Sequence, residues 1–236
     1  MKKLNLILIL VMIFVTGDIL SQVSTYSFGG SGEKSIYKNQ GAWDHMSTSG
    51  VYGGIGAYAV DLTSSDKTPT QAASAFTGPS HNGMGAVGWG SFTSGVYNRA
   101  SGSGAFVGGF HNTAGPLLSE TTGANGESIG QTAFGYGTQA TGNASFSAGE
   151  GTEASGSHAV VFGENSVASG SYSTAIGFET DATDYGSFVI GQYNSSGSSA
   201  TSANSFSTSA PAFVIGNGTS GSLSDAFKVM FNGDTT

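Results

Sequence analysis

The chain has 236 residues, of which 39 are Gly, and only 9% of it is charged, which is far from ordinary globular usage. Seven Lys plus Arg against 15 Asp plus Glu give a net charge of -8, so no basic stripe exists for a phosphate backbone and nucleic-acid binding is excluded. There is no Cys, hence no disulfide framework, thiolate metal site, cysteine nucleophile or acylated cysteine, whereas 15 Phe and 9 Tyr supply enough buryable surface to argue against disorder.

Lys2 and Lys3 precede an apolar run over residues 4–15 broken by Asn5, and residues 16–21 follow with Gly17 and Asp18. This is a secretory signal pattern, residues 1–21, with cleavage expected after Ser21. The run of about 12 residues is too short for a helix to cross the ~30 Å hydrocarbon core. An exported chain with no membrane span of its own follows, and losing Lys2, Lys3 and Asp18 takes its charge from -8 to -9. Residues 22–82 hold Trp43 and several Tyr but no clean period; an N-terminal cap is expected there, because solenoid ends need covering. Residues 83–115 carry Gly88, Gly95, Gly102, Gly108 and Gly115, at spacings of seven, seven, six and seven, and are expected to form the first coils. Pro116 to Gly126 interrupt the repeat, and residues 116–131 are expected to be an insertion loop, a common place for binding.

The clearest signal lies over residues 132–197. Gly135, Gly142, Gly149, Gly156, Gly163, Gly170 and Gly177 recur every seven residues, Asp184 takes the next slot, and Gly191 the one after. Two flavours alternate, so the unit has 14 residues: A segments end at Gly135, Gly149, Gly163, Gly177 and Gly191, and B segments at Gly142, Gly156, Gly170 and Asp184. Each interior Gly costs a helix about 1 kcal/mol, leaving strands of about five residues, joined by tight turns and stacked as a solenoid. Asp184 is expected to mark a left-handed turn, since Asp tolerates positive φ. Gly137, Gly151, Asn165 and Glu179, two residues past A glycines, point to a second turn of that kind.

Period two assigns the faces. Four and two residues before each B terminus stand Thr138 and Ala140, Thr152 and Ala154, Ser166 and Ala168, Thr180 and Ala182, all small enough for the inside of a thin coil. The same offsets in A give Ser145 and Ser147, Ala159 and Val161, Ser173 and Ala175, Ser187 and Val189. The outer B face is mostly polar, with Gln139 and Thr141, Glu153 and Ser155, Val167 and Ser169, Asp181 and Thr183. The outer A face is not: Thr132 and Phe134, Phe146 and Ala148, Val160 and Phe162, Thr174 and Ile176, Phe188 and Ile190 stack at roughly 4.8 Å per coil into an apolar stripe. A stripe of that kind in a secreted chain requires cover, from the same chain or another copy.

These repeats resemble the YadA-like head domains of trimeric autotransporter adhesins, whose fold is a left-handed parallel β-roll. The likeness is strongest over residues 145–191, "SFSAGEGTEASGSHAVVFGENSVASGSYSTAIGFETDATDYGSFVIG", with "STAIG" at Ser173 to Gly177 the closest single match. In that family three rolls pack about an axis. The resemblance therefore implies an all-β parallel β-roll or β-solenoid assembled as a homotrimer through Phe134, Phe146, Val160, Phe162, Ile176, Phe188 and Ile190. The family's collagen-associated motif is matched by Asn165, Ser166, Val167, Ala168 and Gly170 but has Ser169 in place of Ile, and collagen binding is not carried over.

Residues 198–236 are expected to form a C-terminal strand and transition segment: Phe213 to Gly216 repeat the "FVIG" of Phe188 to Gly191, and "DAFKVMFNGDTT" follows as a strand and turn, with truncation of a longer chain as the expectation. No catalytic, cofactor or metal site is expected. Gly83, Gly85 and Gly88 satisfy G-x-G-x-x-G without the βαβ unit that gives it meaning. His45, His81, His111 and His158 are not spaced as metal ligands. Glu150 with Glu153, or Asp181 with Asp184, are carboxylate pairs of the kind used in glycoside cleavage, but they occupy repeat positions. The leading expectation is a non-enzymatic, extracellular or cell-surface adhesin head that binds a surface, matrix or host ligand. A polysaccharide-acting enzyme and an ice-binding solenoid, the latter on Thr141, Ser155, Ser169 and Thr183, are the alternatives.

Overall fold

The computed structural model describes residues 23–27, 34–38, 59–64, 85–116 and 129–236. The expected signal segment, residues 1–21, most of residues 39–84 and residues 117–128 lie outside the described residues, as do His45 and His81. β1 (Val23–Ser27) and β2 (Lys34–Lys38) pair antiparallel, and β3 (Val60–Ser64) joins β2 in parallel. Long and short strands then alternate. The short ones are β4 (Gly85–Ala86), β6 (Arg99–Ala100), β8 (Thr113–Ala114), β10 (Gln139–Ala140), β12 (Glu153–Ala154), β14 (Val167–Ala168) and β16 (Asp181–Ala182). The long ones are β5 (Phe92–Val96), β7 (Phe106–Phe110), β9 (Thr132–Tyr136), β11 (Phe146–Glu150), β13 (Val160–Glu164), β15 (Thr174–Phe178) and β17 (Phe188–Gln192). β18 (Pro211–Asn217) continues in parallel on β17, and β19 (Asp225–Met230) closes antiparallel on β18.

The result is an all-β parallel solenoid of 14-residue coils. A 12-stranded sheet carries the long strands and a 7-stranded sheet the short ones. Register is in step with the repeat: Phe146 pairs with Val160, Gly149 with Gly163, and Ala154 with Ala168. The interior is as thin as the residue types predict, since Ala154, Ala168, Ala182, Ala159, Val161, Ala175 and Val189 form one fully buried cluster. Thr138, Thr152, Ser166 and Thr180 are buried beside them. The B segments, however, hold strands of only two residues, not five. Their remaining residues turn the corners.

Two other expectations are corrected. None of Gly142, Gly156, Gly170 or Asp184 has a positive φ. A Cβ on Gly142 would overlap the carbonyl of Gly156, on Gly156 that of Gly170, and on Gly170 that of Asp184, so the row demands glycine for close stacking. Asp184 is tolerated because it ends the row; its Oδ1 accepts hydrogen bonds from the Thr201 and Ser202 amides, each at 2.6 Å. Positive φ is found instead at the A glycines, Gly135, Gly149, Gly163, Gly177 and Gly191. The turn expected at Gly137, Gly151, Asn165 and Glu179 is present and belongs to a series of corner residues with positive φ, two positions past each terminus, that also holds Ala144, His158, Tyr172, Gly186 and Tyr193. They form one corner every seven residues. In the first coils the repeat glycine after Gly95 is Gly109, paired with it and with Gly135. Gly108 points along the outer face instead, which accounts for the spacing of six.

The roll is continuous across the interruption. Phe106 pairs directly with Thr132, so β7 and β9 are ladder neighbours although residues 117–128 separate them in sequence. A second departure, residues 193–210, covers the last short strand. The Thr183 amide donates to Gly197 O, the Tyr185 amide to Ser202 O and the Ser171 amide to Ala203 O, at 3.0, 2.8 and 2.8 Å. Asn194 holds β16 from both sides, accepting the Asp181 amide and donating to Asp181 O.

Candidate interaction surface

The parallel register carries the stripe residues of the long strands onto one outward face, coil above coil. Along it Phe92 and Phe106 stack at 4.5 Å between centroids, Phe106 meets Phe134 at 5.2 Å, Phe134 meets Phe146 at 6.4 Å, and Phe146 meets Phe162 at 5.1 Å. Phe188 and Phe213 extend the row at 5.7 Å. Rings that touch one neighbour still show their other side to solvent: Phe162 is 43% and Ile176 37% exposed. All seven stripe positions singled out from sequence, Phe134, Phe146, Val160, Phe162, Ile176, Phe188 and Ile190, stand at outward positions of the long strands, and none is buried. The result is a row of large apolar side chains in partial contact with one another and with water, longer than the apolar patches that soluble monomers ordinarily expose.

Two corner ridges flank this face. On one, His158 and Tyr172 stack with parallel rings at 4.6 Å, and Tyr172 leans on Tyr185 at 5.3 Å. On the other, Phe110 and Tyr136 stack at 5.5 Å, and Glu150 and Glu164 follow in the same register. The acidic side continues through Glu179 to Asp181, whose carboxyl is raised above its ordinary value by burial and by the charge of Glu179. Burial lowers the Arg99 guanidinium and the His111 imidazole. For Asp225, burial pushes upward, but hydrogen bonds from Ser196 and Ser195 outweigh it and leave the carboxyl below the usual range.

The structure does not assemble the alternative sites weighed from sequence. Asp184 is buried in backbone hydrogen bonds while Asp181 stands on the partly exposed short-strand face, so the two form no catalytic pair. His111 and His158 occupy separate corners, and among the described residues no group of three or more His, Asp or Glu is arranged to hold a metal ion. Gly88, the last glycine of the G-x-G-x-x-G run, lies against the Gly102 carbonyl as part of the stacking row. The hydroxyl row on the short-strand face ends at Thr183, whose Oγ1 donates to Gly197 O at 2.6 Å and is withdrawn from any lattice of exposed hydroxyls.

Sequence reasoning passed over an internal polar ladder. Asn98 and Asn112 are fully buried at the slot that later coils fill with Thr138, Thr152, Ser166 and Thr180. Asn112 donates from Nδ2 to Gly108 O and Gly135 O, and its Oδ1 accepts from both the amide and the hydroxyl of Thr138. The same offset from each B terminus leads to Asn98 and Asn112 once Pro116 is placed in the row, a step that the interrupted period concealed.

Residues 154–180 match the YadA head domain repeat, in two copies. That stretch of the roll carries two YadA-head-type repeats. The matched span runs from the end of β12 through β15 and includes Val160, Phe162 and Ile176 of the stripe. No curated protein and no solved structure gives a significant match to the chain. Among the described residues no helix is long and apolar enough to cross a membrane.

Proposed function

We propose that the chain is an exported, cell-surface adhesin head or fibre segment that works as a homotrimer, three rolls packing their long-strand faces about one axis. The observation that carries this reading is the exposed apolar stripe on a roll in which residues 154–180 match the YadA head repeat. Phe134, Phe146, Val160, Phe162, Ile176, Phe188 and Ile190 are the proposed interface. Burying one such Phe or Ile side chain contributes roughly 1.5 to 3 kcal/mol, and a closed ring of identical chains leaves no copy of the stripe in water. The head acts by contact with a surface, matrix or host ligand, and no bond is made or broken.

Light scattering on purified residues 22–236 tests it. The parent and Glu153→Lys, which alters only the polar face, are expected at three times the chain mass. The double variant Phe162→Glu with Ile176→Glu places unpaired carboxylates in the interface and is expected to dissociate or aggregate. A parent that is monomeric at micromolar concentration overturns the trimer.

A further inference from the structure

The stripe is not uniformly bulky. From β5 to β15 each long strand presents one large and one small side chain outward: Phe106 with Gly108, Thr132 with Phe134, Phe146 with Ala148, Val160 with Phe162. The order of the two reverses at each of the steps from Phe106 to Val160. A Cβ on Gly108 would come within 2.9 Å of the Phe134 ring, which has leaned into the room that the glycine leaves. Phe146 and Ala148 both remain half-exposed, so the step between ring and gap faces outward in that coil.

Resting on the trimer reading, we infer that this size pairing is a register device: the large residue of one copy seats against the small residue of the next copy in the same coil. The symmetry requires that pairing. In a ring about a threefold axis the interface is head-to-tail, so the first residue of one long strand meets the third residue of its neighbour's equivalent strand. Copies in register then place Phe146 beside the next copy's Ala148, and Thr132 beside the next copy's Phe134. A slip of one coil at these levels brings Phe146 against Phe134 or Phe162 and leaves Thr132 or Val160 facing Ala148. That is crowding at one level and a void at the next, both of which are destabilising. The occupant of the stripe is therefore a second copy of this chain, because only it repeats the same sequence of large and small residues at the same coil spacing. A backbone that repeats every 14 residues offers several near-equivalent registers; strands with such a pattern are prone to slippage unless side chains decide.

Two variants used together test this without confusing packing between copies with packing inside one copy. Phe146→Ala gives a chain with two small residues in its coil, and Ala148→Phe a chain with two large ones. Co-refolded in equal amounts with distinguishable masses, they are expected to form mixed trimers, with homotrimers depleted about 10-fold below their binomial share, the ratio that ~1.4 kcal/mol of preference produces. Native mass spectrometry reads the populations. Binomial mixing overturns the register device while leaving the trimer standing. A monomeric parent fails earlier, at the mass measurement, and overturns both.

Discussion

Substituting Gly163 by Ala separates close coil stacking from mere turn formation as the reason for the glycine period. Gly163 lies in β13 with φ +129°, and a Cβ there would overlap the carbonyl oxygen of Gly177 in the next coil. The conformation alone costs a residue with a side chain about 1 to 3 kcal/mol. The overlap adds to this, because the contacting atom is backbone and β13 and β15 must part, weakening ladder hydrogen bonds worth about 1 kcal/mol each. A loss of at least about 3 kcal/mol is expected. Gly137→Ala is the matched comparison. Gly137 has φ +65° with nothing within 4 Å of the added Cβ, and Ala144 already occupies an equivalent corner at φ 51°, so only the left-handed cost of about 1 to 2 kcal/mol applies. Urea unfolding of the two variants, followed by circular dichroism at matched protein concentration, reads the difference. Equal destabilisation would show that the glycines serve the turns and that the coils do not meet as closely as described.

The remaining predictions concern the interior and the charged groups. Ala168→Leu forces extra methylenes between the two sheets, where Ala168 is fully buried, and should cost about 1 to 3 kcal/mol or more in the same assay; parental stability would mean the strand faces are reversed. Asp184→Ala strips the Thr201 and Ser202 amides of their acceptor and should cost about 1 to 3 kcal/mol, with faster amide exchange at those two residues. Asp181 has its carboxyl raised by burial and by Glu179. Its charge therefore opposes folding above the raised value, and that cost disappears as pH falls below the unfolded value of about 3.9. Asp181→Asn should melt higher than the parent at neutral pH and match it near pH 3; a lower melting temperature at neutral pH refutes the sign.

Much of the fold was legible because a solenoid repeats its constraints. Each interior slot is sampled in coil after coil, so Ala140, Ala154, Ala168 and Ala182, or Thr138, Thr152, Ser166 and Thr180, reveal a thin interior that no single segment would show. The outer stripe was legible for the same reason. What escaped had local causes. Corner conformations at Ala144, His158, Tyr172 and Tyr193 were hidden because residue preference favours Gly, Asn and Asp at positive φ, whereas here two flanking ladders hold the backbone and override preference. Strand length in the B segments was overestimated because alternation continues through residues that are turning. Asp184 looked like a turn residue and is a terminus, which depends on what lies beyond the last coil, namely residues 193–210 folding back over it.

The placement of apolar mass links the fold to its function. Ordinary domains bury their largest side chains inside, yet the fully buried apolar residues of this roll are Ala and Val with one Tyr, while Phe106, Phe110, Phe134, Phe162 and Phe188 remain substantially exposed. An interior of Ala, Ser and Thr contributes little apolar burial per coil. The coils are held chiefly by backbone ladders and by small polar contacts such as Ser147 Oγ to Thr152 Oγ1 at 2.8 Å. On the trimer proposed above, association through the long-strand face adds a stabilisation of the same kind that a conventional core supplies, once per coil, and couples stability to assembly. A change on the stripe is then expected to be felt as a change in folding, whereas the short-strand face and the corner ridges carry little of that burden.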